Sequence, residues 1–173
     1  MWLLLIPVGA VAVVLLLAAS KPAQFRVERS VVIAAPADHV FSLINSFRQW
    51  EDWSPWAKLD PQMTTSYSGP DAGVGCKYAW EGNKKVGRGS MEIVQSDSPT
   101  RVALKVHFLV PFEALNETEF VLTPDAARTR VVWAMTGSSP LMMRVMGVFM
   151  NMDNMIGRDF EKGLSAMKVV AEG

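Results

Sequence analysis

Between residues 63 and 136 apolar and polar side chains alternate in six consecutive blocks: "MTTSYS" (63–68), "GCKYAW" (75–80), "VGRGSMEIVQS" (86–96), "RVALKVHFL" (101–109), "EALNETEFVLT" (113–123) and "RTRVVWAMT" (128–136). A period of two puts one set of side chains on each face of a strand. Turn signals ("SGPDAG", "EGNKK", "SDSPT", "VPF", "TPDAA") separate the blocks. Connections this short exclude parallel crossovers, which need a dozen or more residues, so the six strands form an antiparallel meander. "FRVERSVVIAA" (25–35) reads as one more strand. "APADHVFSLINS" then reads as a helix, with Pro36 at its first position, Asp38 in the first turn, and Val40, Phe41 and Ile44 on one face. Ser139 and Pro140 make an N-cap and first-turn pair. Beyond them Val145, Phe149, Met152, Ile156, Phe160, Leu164 and Met167 recur at steps of three and four. That spacing predicts one helix of roughly thirty residues. A long helix lying across a curved antiparallel sheet buries the apolar faces of both, giving an α+β domain.

Alternation also sorts the faces. Arg128 and Arg130 turn outward, so Thr129, Val131, Trp133 and Met135 turn in. Glu117 and Glu119 outward leave Thr118, Phe120 and Leu122 inside. Arg101, Lys105 and His107 outward leave Val102, Leu104, Val106 and Phe108 inside. Lys77 outward puts Cys76, Tyr78 and Trp80 inside, and Arg88 and Glu92 outward do the same for Gly87, Gly89, Met91 and Ile93. The inner wall of the sheet thus holds aromatics, aliphatics, a thiol and two glycines, and no carboxylate. Two glycines on one face mean either room for a ligand or a bend in the sheet.

The remaining signals are mostly exclusions. Seventeen basic and 17 acidic residues cancel, which argues against non-specific nucleic-acid binding or a polybasic lipid patch. Cys76 is alone, so no intrachain disulfide forms. His39 and His107 sit in no metal-ligand spacing, and no GxSxG, phosphate loop or paired carboxylates appear. "GNKKVGRG" leads into a strand, not into a helix whose N-terminus binds phosphate. No catalytic residue, metal or cofactor is expected.

The first 19 residues, "MWLLLIPVGAVAVVLLLAA", carry no charge. As a helix at about 1.5 Å per residue they reach about 28 Å, against a hydrocarbon core of about 30 Å. The expected division is a transmembrane anchor at 1–20, a linker at 21–24 and the folded domain at 25–173. A cleaved signal peptide competes for the same segment, with Ala18 and Ser20 at cleavage-like positions. Its apolar region would normally be shorter, and a basic n-region is missing here. Lys21, Arg26 and Arg29 follow the span and nothing basic precedes it. That asymmetry places the domain on the cytoplasmic side of the inner membrane, held by a single pass. "NET" (116–118), a formal glycosylation sequon, then lies on a strand facing the cytoplasm and is disregarded.

Two clusters bear on function. Trp50, Trp53 and Trp56 recur at steps of three, and three uses stay open: a plug for one end of the core, the mouth of a pocket, or an interfacial belt. "LMMRVMGVFMNMDNM" (141–155) holds six methionines. Such flexible side chains suit a lid over a pocket whose contents vary, and equally fill irregular core. Met142, Met146, Met152 and Met155 fall on or beside the apolar stripe; Met143 and Met150 fall off it.

The segments "ERSVVIAAPADHVFSLINSFRQWEDWSPW", "YSGPDAGVGCKYAWEG", "GRGSMEI", "RTRVVWAMTG" and "MDNMIGRDFEKGLSAMK" together resemble the SRPBCC (START-like) superfamily, in its polyketide cyclase/dehydrase and lipid-transport-like branch. The resemblance runs from about 25 to 172. It implies a helix-grip fold, about seven strands wrapped around a long C-terminal helix. It also implies a cavity for a hydrophobic small molecule such as a lipid, isoprenoid or polyketide-like compound. The cavity is then expected to be lined by Trp53, Trp56, Tyr78, Trp80, Gly87, Gly89, Met91, Phe108, Phe120, Trp133, Met135, Val145, Phe149, Met152 and Ile156. Some members are cyclases or hydratases, and a third use is a protein-interaction or regulatory module with a collapsed cavity. No catalytic residue of the cyclases carries over.

Overall fold

The computed structural model describes residues 5–149 and 151–173. Seven antiparallel strands form one sheet: β1 (Gln24–Ile33), β2 (Thr64–Ser68), β3 (Lys77–Glu81), β4 (Arg88–Asp97), β5 (Arg101–Val110), β6 (Ala114–Asp125) and β7 (Arg128–Ser138). Their order is β1-β7-β6-β5-β4-β3-β2. The six alternating blocks therefore do form a meander. After β1 the chain crosses to the far edge through α2 (Ala37–Ile44), a 3-10 turn at Phe47–Gln49 and α3 (Trp50–Trp53). β7 then returns to lie beside β1, with Val27 opposite Met135.

The inward parity read from the sequence holds along β5, β6 and β7, where Val102, Leu104, Val106, Thr118, Phe120, Leu122, Thr129, Val131, Trp133 and Met135 are all buried. On β4 it holds only as far as Ile93. There the register slips, so that Ile93 pairs with Leu104 but Gln95 pairs with Ala103. The extra residue, Val94, bends the strand. Past the bulge Ser96 lies opposite the buried Val102, and its Oγ donates to Asn45 Oδ1 at 2.8 Å.

The single C-terminal helix expected from the stripe is two helices, α4 (Leu141–Phe149) and α5 (Met152–Glu172), with Met150 outside the described residues. Asn151 accounts for the break. It takes extended backbone angles, and its side-chain oxygen accepts the Asn154 backbone N–H at 3.0 Å, capping a fresh N-terminus. α5 buries Phe160, Leu164 and Met167 against the sheet. Arg29 of β1 clamps it through Asp153 at 3.0 Å and Glu161 at 2.8 Å. None of the α4 residues is buried.

The N-terminal apolar segment forms α1 (Leu5–Ser20), and residues 1–4 of the expected anchor lie outside the described residues. At about 1.5 Å per residue its 16 residues reach about 24 Å. Among the described residues no helix is long and apolar enough to cross a membrane. α1 ends beside α4, where Lys21 Nζ donates to the Gly147 carbonyl at 2.5 Å and Arg144 reaches the Lys21 carbonyl at 3.4 Å.

Candidate functional site

The concave face of the sheet, α3, α4 and the start of α5 enclose a cavity of about 780 Å³. Its floor is the inner face of β3–β7, and its mouth lies between the β5–β6 turn and α4. Aromatic side chains build the closed end. Trp133 is 1 % exposed and stacks between Phe120 (4.9 Å) and Phe160 (4.1 Å, rings 7° apart). Trp53 and Trp56 pack edge-on against it, each at 5.8 Å. Three indole N–H groups are matched to backbone carbonyls at 2.9 Å: Trp50 to Ile44, Trp53 to Leu43 and Trp80 to Val86. The tryptophan cluster is thus divided. Trp50 and Trp53 are buried, Trp50 and Trp56 face the cavity, and burial removes the interfacial belt as a use for the first two.

Of the residues expected at the wall, Trp56, Tyr78, Trp80, Gly87, Met91, Phe108, Trp133, Met135, Met152 and Ile156 line the cavity. Five do not, each for a physical reason. Phe120 lies behind Trp133, and Trp53 belongs to the packed layer between helix and sheet. A Cβ on Gly89 would lie 2.5 Å from the Trp80 ring and 2.6 Å from the His107 carbonyl, so the Trp80 ring fills the space. Val145 and Phe149 turn away because α4 leaves the line of α5, and Phe149 is 74 % exposed. Gly87 has φ +65°, with the Val110 carbonyl where a side chain would stand. It serves the bend at the rim as well as lining the cavity.

The methionines converge. Met142, Met143, Met146, Met152 and Met155 all line the mouth, Met143 among them although it falls off the stripe. Opposite them stand Val110, Pro111 and Phe112 of the β5–β6 turn. Phe112, Met142, Met146 and Met155 are exposed, forming an apolar rim.

Sequence parity gave no carboxylate on the inner sheet face, and the sheet agrees. Carboxylates reach the cavity from beyond the sheet instead: Glu51 of α3, Glu113 of the β5–β6 turn and Asp159 of α5. Glu51 accepts a hydrogen bond from Tyr67 Oη at 2.7 Å. Burial, and then this contact, push the Tyr67 phenol above its ordinary range. Burial does the same to Tyr78, which also lines the wall. Both phenols are neutral donors at physiological pH. Glu51 was missed because a four-residue helix gives no period to read. His107 is a surface group, 3.0 Å from Glu113, as its outward parity requires. Among the described residues no cluster of His, Cys, Asp or Glu could hold a metal ion.

Residues 24–172 match the family described as polyketide cyclase/dehydrase and lipid transport. The chain belongs to that family. No curated protein matches it. Solved structures share the fold at low identity. One is a Chromobacterium violaceum protein (14 % identity, 88 % of this chain and 99 % of that one, TM-score 0.60). Another is the Aha1 dimer from Colwellia psychrerythraea (13 %, 86 % and 96 %, 0.61). A third is BexL, a di-domain ARO/CYC protein of the BE-7585A biosynthetic pathway (16 %, 91 % and 53 %, 0.61). The helix-grip architecture of the polyketide cyclase-like family is therefore present, with an open cavity at the place where the sheet meets its C-terminal helices.

Proposed function

We propose that the chain is a binding module that holds one apolar small molecule, a lipid, isoprenoid or polyketide-like compound, in this cavity. The observation that carries the reading is the cavity itself. At about 780 Å³ it is of the size that takes a drug-sized ligand, about 300–1,000 Å³, and aromatic, methionine and aliphatic side chains dominate its wall. An interaction module with a collapsed cavity fits poorly with a void of that size. Residues 1–20 are proposed as a membrane anchor with the domain on the cytoplasmic side. Their lack of charge and the packing of α1 beside the mouth support this, because an anchored carrier works where apolar ligands partition.

The test is solvent extraction of the purified full-length chain, with mass spectrometry of what is released. About one apolar molecule per chain is expected, falling sharply in Met152→Asp, which puts a charge at the mouth. Recovery of nothing, together with no uptake of a neutral apolar dye, would overturn the reading. A second reading, a cyclase- or hydratase-type enzyme, is favoured by the Glu51–Tyr67 pair at the wall. It requires that an apolar compound supplied to the protein be recovered chemically changed, and that Glu51→Gln stop the change.

A further inference from the structure

The cavity wall is not uniformly apolar. Two residues that line it carry a buried side-chain group with no hydrogen-bond partner, Thr118 Oγ1 and Trp133 Nε1. Buried donors are nearly always paired, so two orphans in one wall require an explanation. The other buried indoles of the cluster show that partners were available to this fold, since Trp50 and Trp53 each donate to a carbonyl. The two orphans are also neighbours. Thr118 lies opposite Met135 and Phe120 opposite Trp133, so Thr118 and Trp133 are diagonal across β6 and β7 on one face. Diagonal neighbours stand about 7–8 Å apart, within reach of an aromatic side chain such as that of Trp133. Asn116, two residues before Thr118 on the same face, also lines the cavity. Its Nδ2 meets only the Met135 sulfur, at 3.7 Å, and a thioether is a weak acceptor.

We infer that Thr118, Trp133 and Asn116 form a neutral hydrogen-bonding strip that takes an uncharged acceptor oxygen, a carbonyl or ester, on an otherwise apolar ligand. An indole N–H is a donor only, and a threonine hydroxyl and an amide nitrogen can both donate, so their common complement is an acceptor. The strip contains no cation. Around the whole cavity three carboxylates, Glu51, Glu113 and Asp159, stand against the ammonium groups of Lys84 and Lys85, and both lysines are exposed on the β3–β4 turn. An ionised ligand carboxylate brought to the strip would lose its hydration without gaining a counter-ion. The strip therefore selects oxygen-bearing neutral compounds over hydrocarbons and over fatty acids.

This inference rests on the binding-module reading, and the experiment separates the two. The full-length chain is loaded with a neutral apolar dye, N-phenylnaphthylamine. The dye is then displaced by a methyl ketone, a carboxylic acid and an alkane of equal chain length. The acid is expected to bind more weakly than the ketone at neutral pH. The ketone-to-alkane affinity ratio is expected to fall about tenfold, the worth of a buried hydrogen bond, in Thr118→Val and in Trp133→Phe. Thr118→Val keeps the side-chain shape and carries the test should Trp133→Phe loosen the aromatic stack. A ketone-to-alkane ratio unmoved by Thr118→Val, or an acid that binds as well as the ketone, would each overturn the strip and leave the binding module standing. A dye that is never taken up would overturn both.

Discussion

At the scale of single residues, the aromatic stack decides how much of the interior is core and how much is cavity. Phe160 is fully buried, and its ring lies parallel to that of Trp133 at 4.1 Å. Phe160→Ala leaves a void beside the cavity that the rigid Trp133 ring cannot fill, and it is expected to cost about 3–5 kcal/mol. Urea denaturation followed by circular dichroism reads this directly. A loss under about 1 kcal/mol would mean that the cavity collapses onto the site, and that the wall is softer than its packing suggests. The same stack shows what parity in the sequence conveys. Parity placed Phe120, Trp133, Met135 and Tyr78 correctly on the inner face, because alternation depends only on the strand itself. It did not separate Phe120 from Trp133, since that depends on which ring stands in front, and long-range packing of α3 and α5 sets that order.

At the scale of elements, α4 and α5 differ in kind. α5 is clamped to β1 by Arg29 and buries a continuous apolar face, whereas α4 buries none of its residues and rests on the mouth through its methionines. Local opening follows buried contact, so α4 amides are expected to exchange with solvent hydrogen faster than those of α5, and to slow when an apolar ligand fills the cavity. Equal protection in the two helices would show that α4 is no lid. Asn151→Ala removes the cap that starts α5 and should cost about 1 kcal/mol, with the faster exchange spreading into Met152–Met155. The strands were legible in the sequence because their period is two and their turns are marked. The break between the helices was not. The three-and-four spacing continues through Asn151, and one capping side chain has no periodicity. The tryptophan spacing marks a short helix or turn where α3 lies, but its Glu51 stays hidden for a related reason, since four residues give no period that says which way the carboxylate points.

At the scale of the whole molecule, the apolar rim, α1 and the cavity mouth lie on one side. Val13, Leu15, Leu16 and Leu17 of α1 are exposed, as are Phe112, Met142 and Met146 around the mouth. Exposed apolar surface of this extent is poorly tolerated in water, and the balanced charge offers no electrostatic route to a membrane. Attachment would then depend on apolar insertion and be insensitive to salt. The full-length chain is expected to float with phosphatidylcholine vesicles in a density gradient, to stay bound at high salt, and to resist extraction by alkaline carbonate. Deletion of residues 1–20 should leave it in the dense fraction. Phe112→Asp combined with Met142→Asp should leave flotation intact while slowing transfer of an apolar dye from vesicle to cavity, as the proposed division between an exchanging rim and an anchoring first segment requires. A chain that salt or carbonate strips from vesicles would contradict anchoring. If the rim variants load dye at the wild-type rate, the ligand enters from water and the proximity of mouth and α1 has no part in uptake.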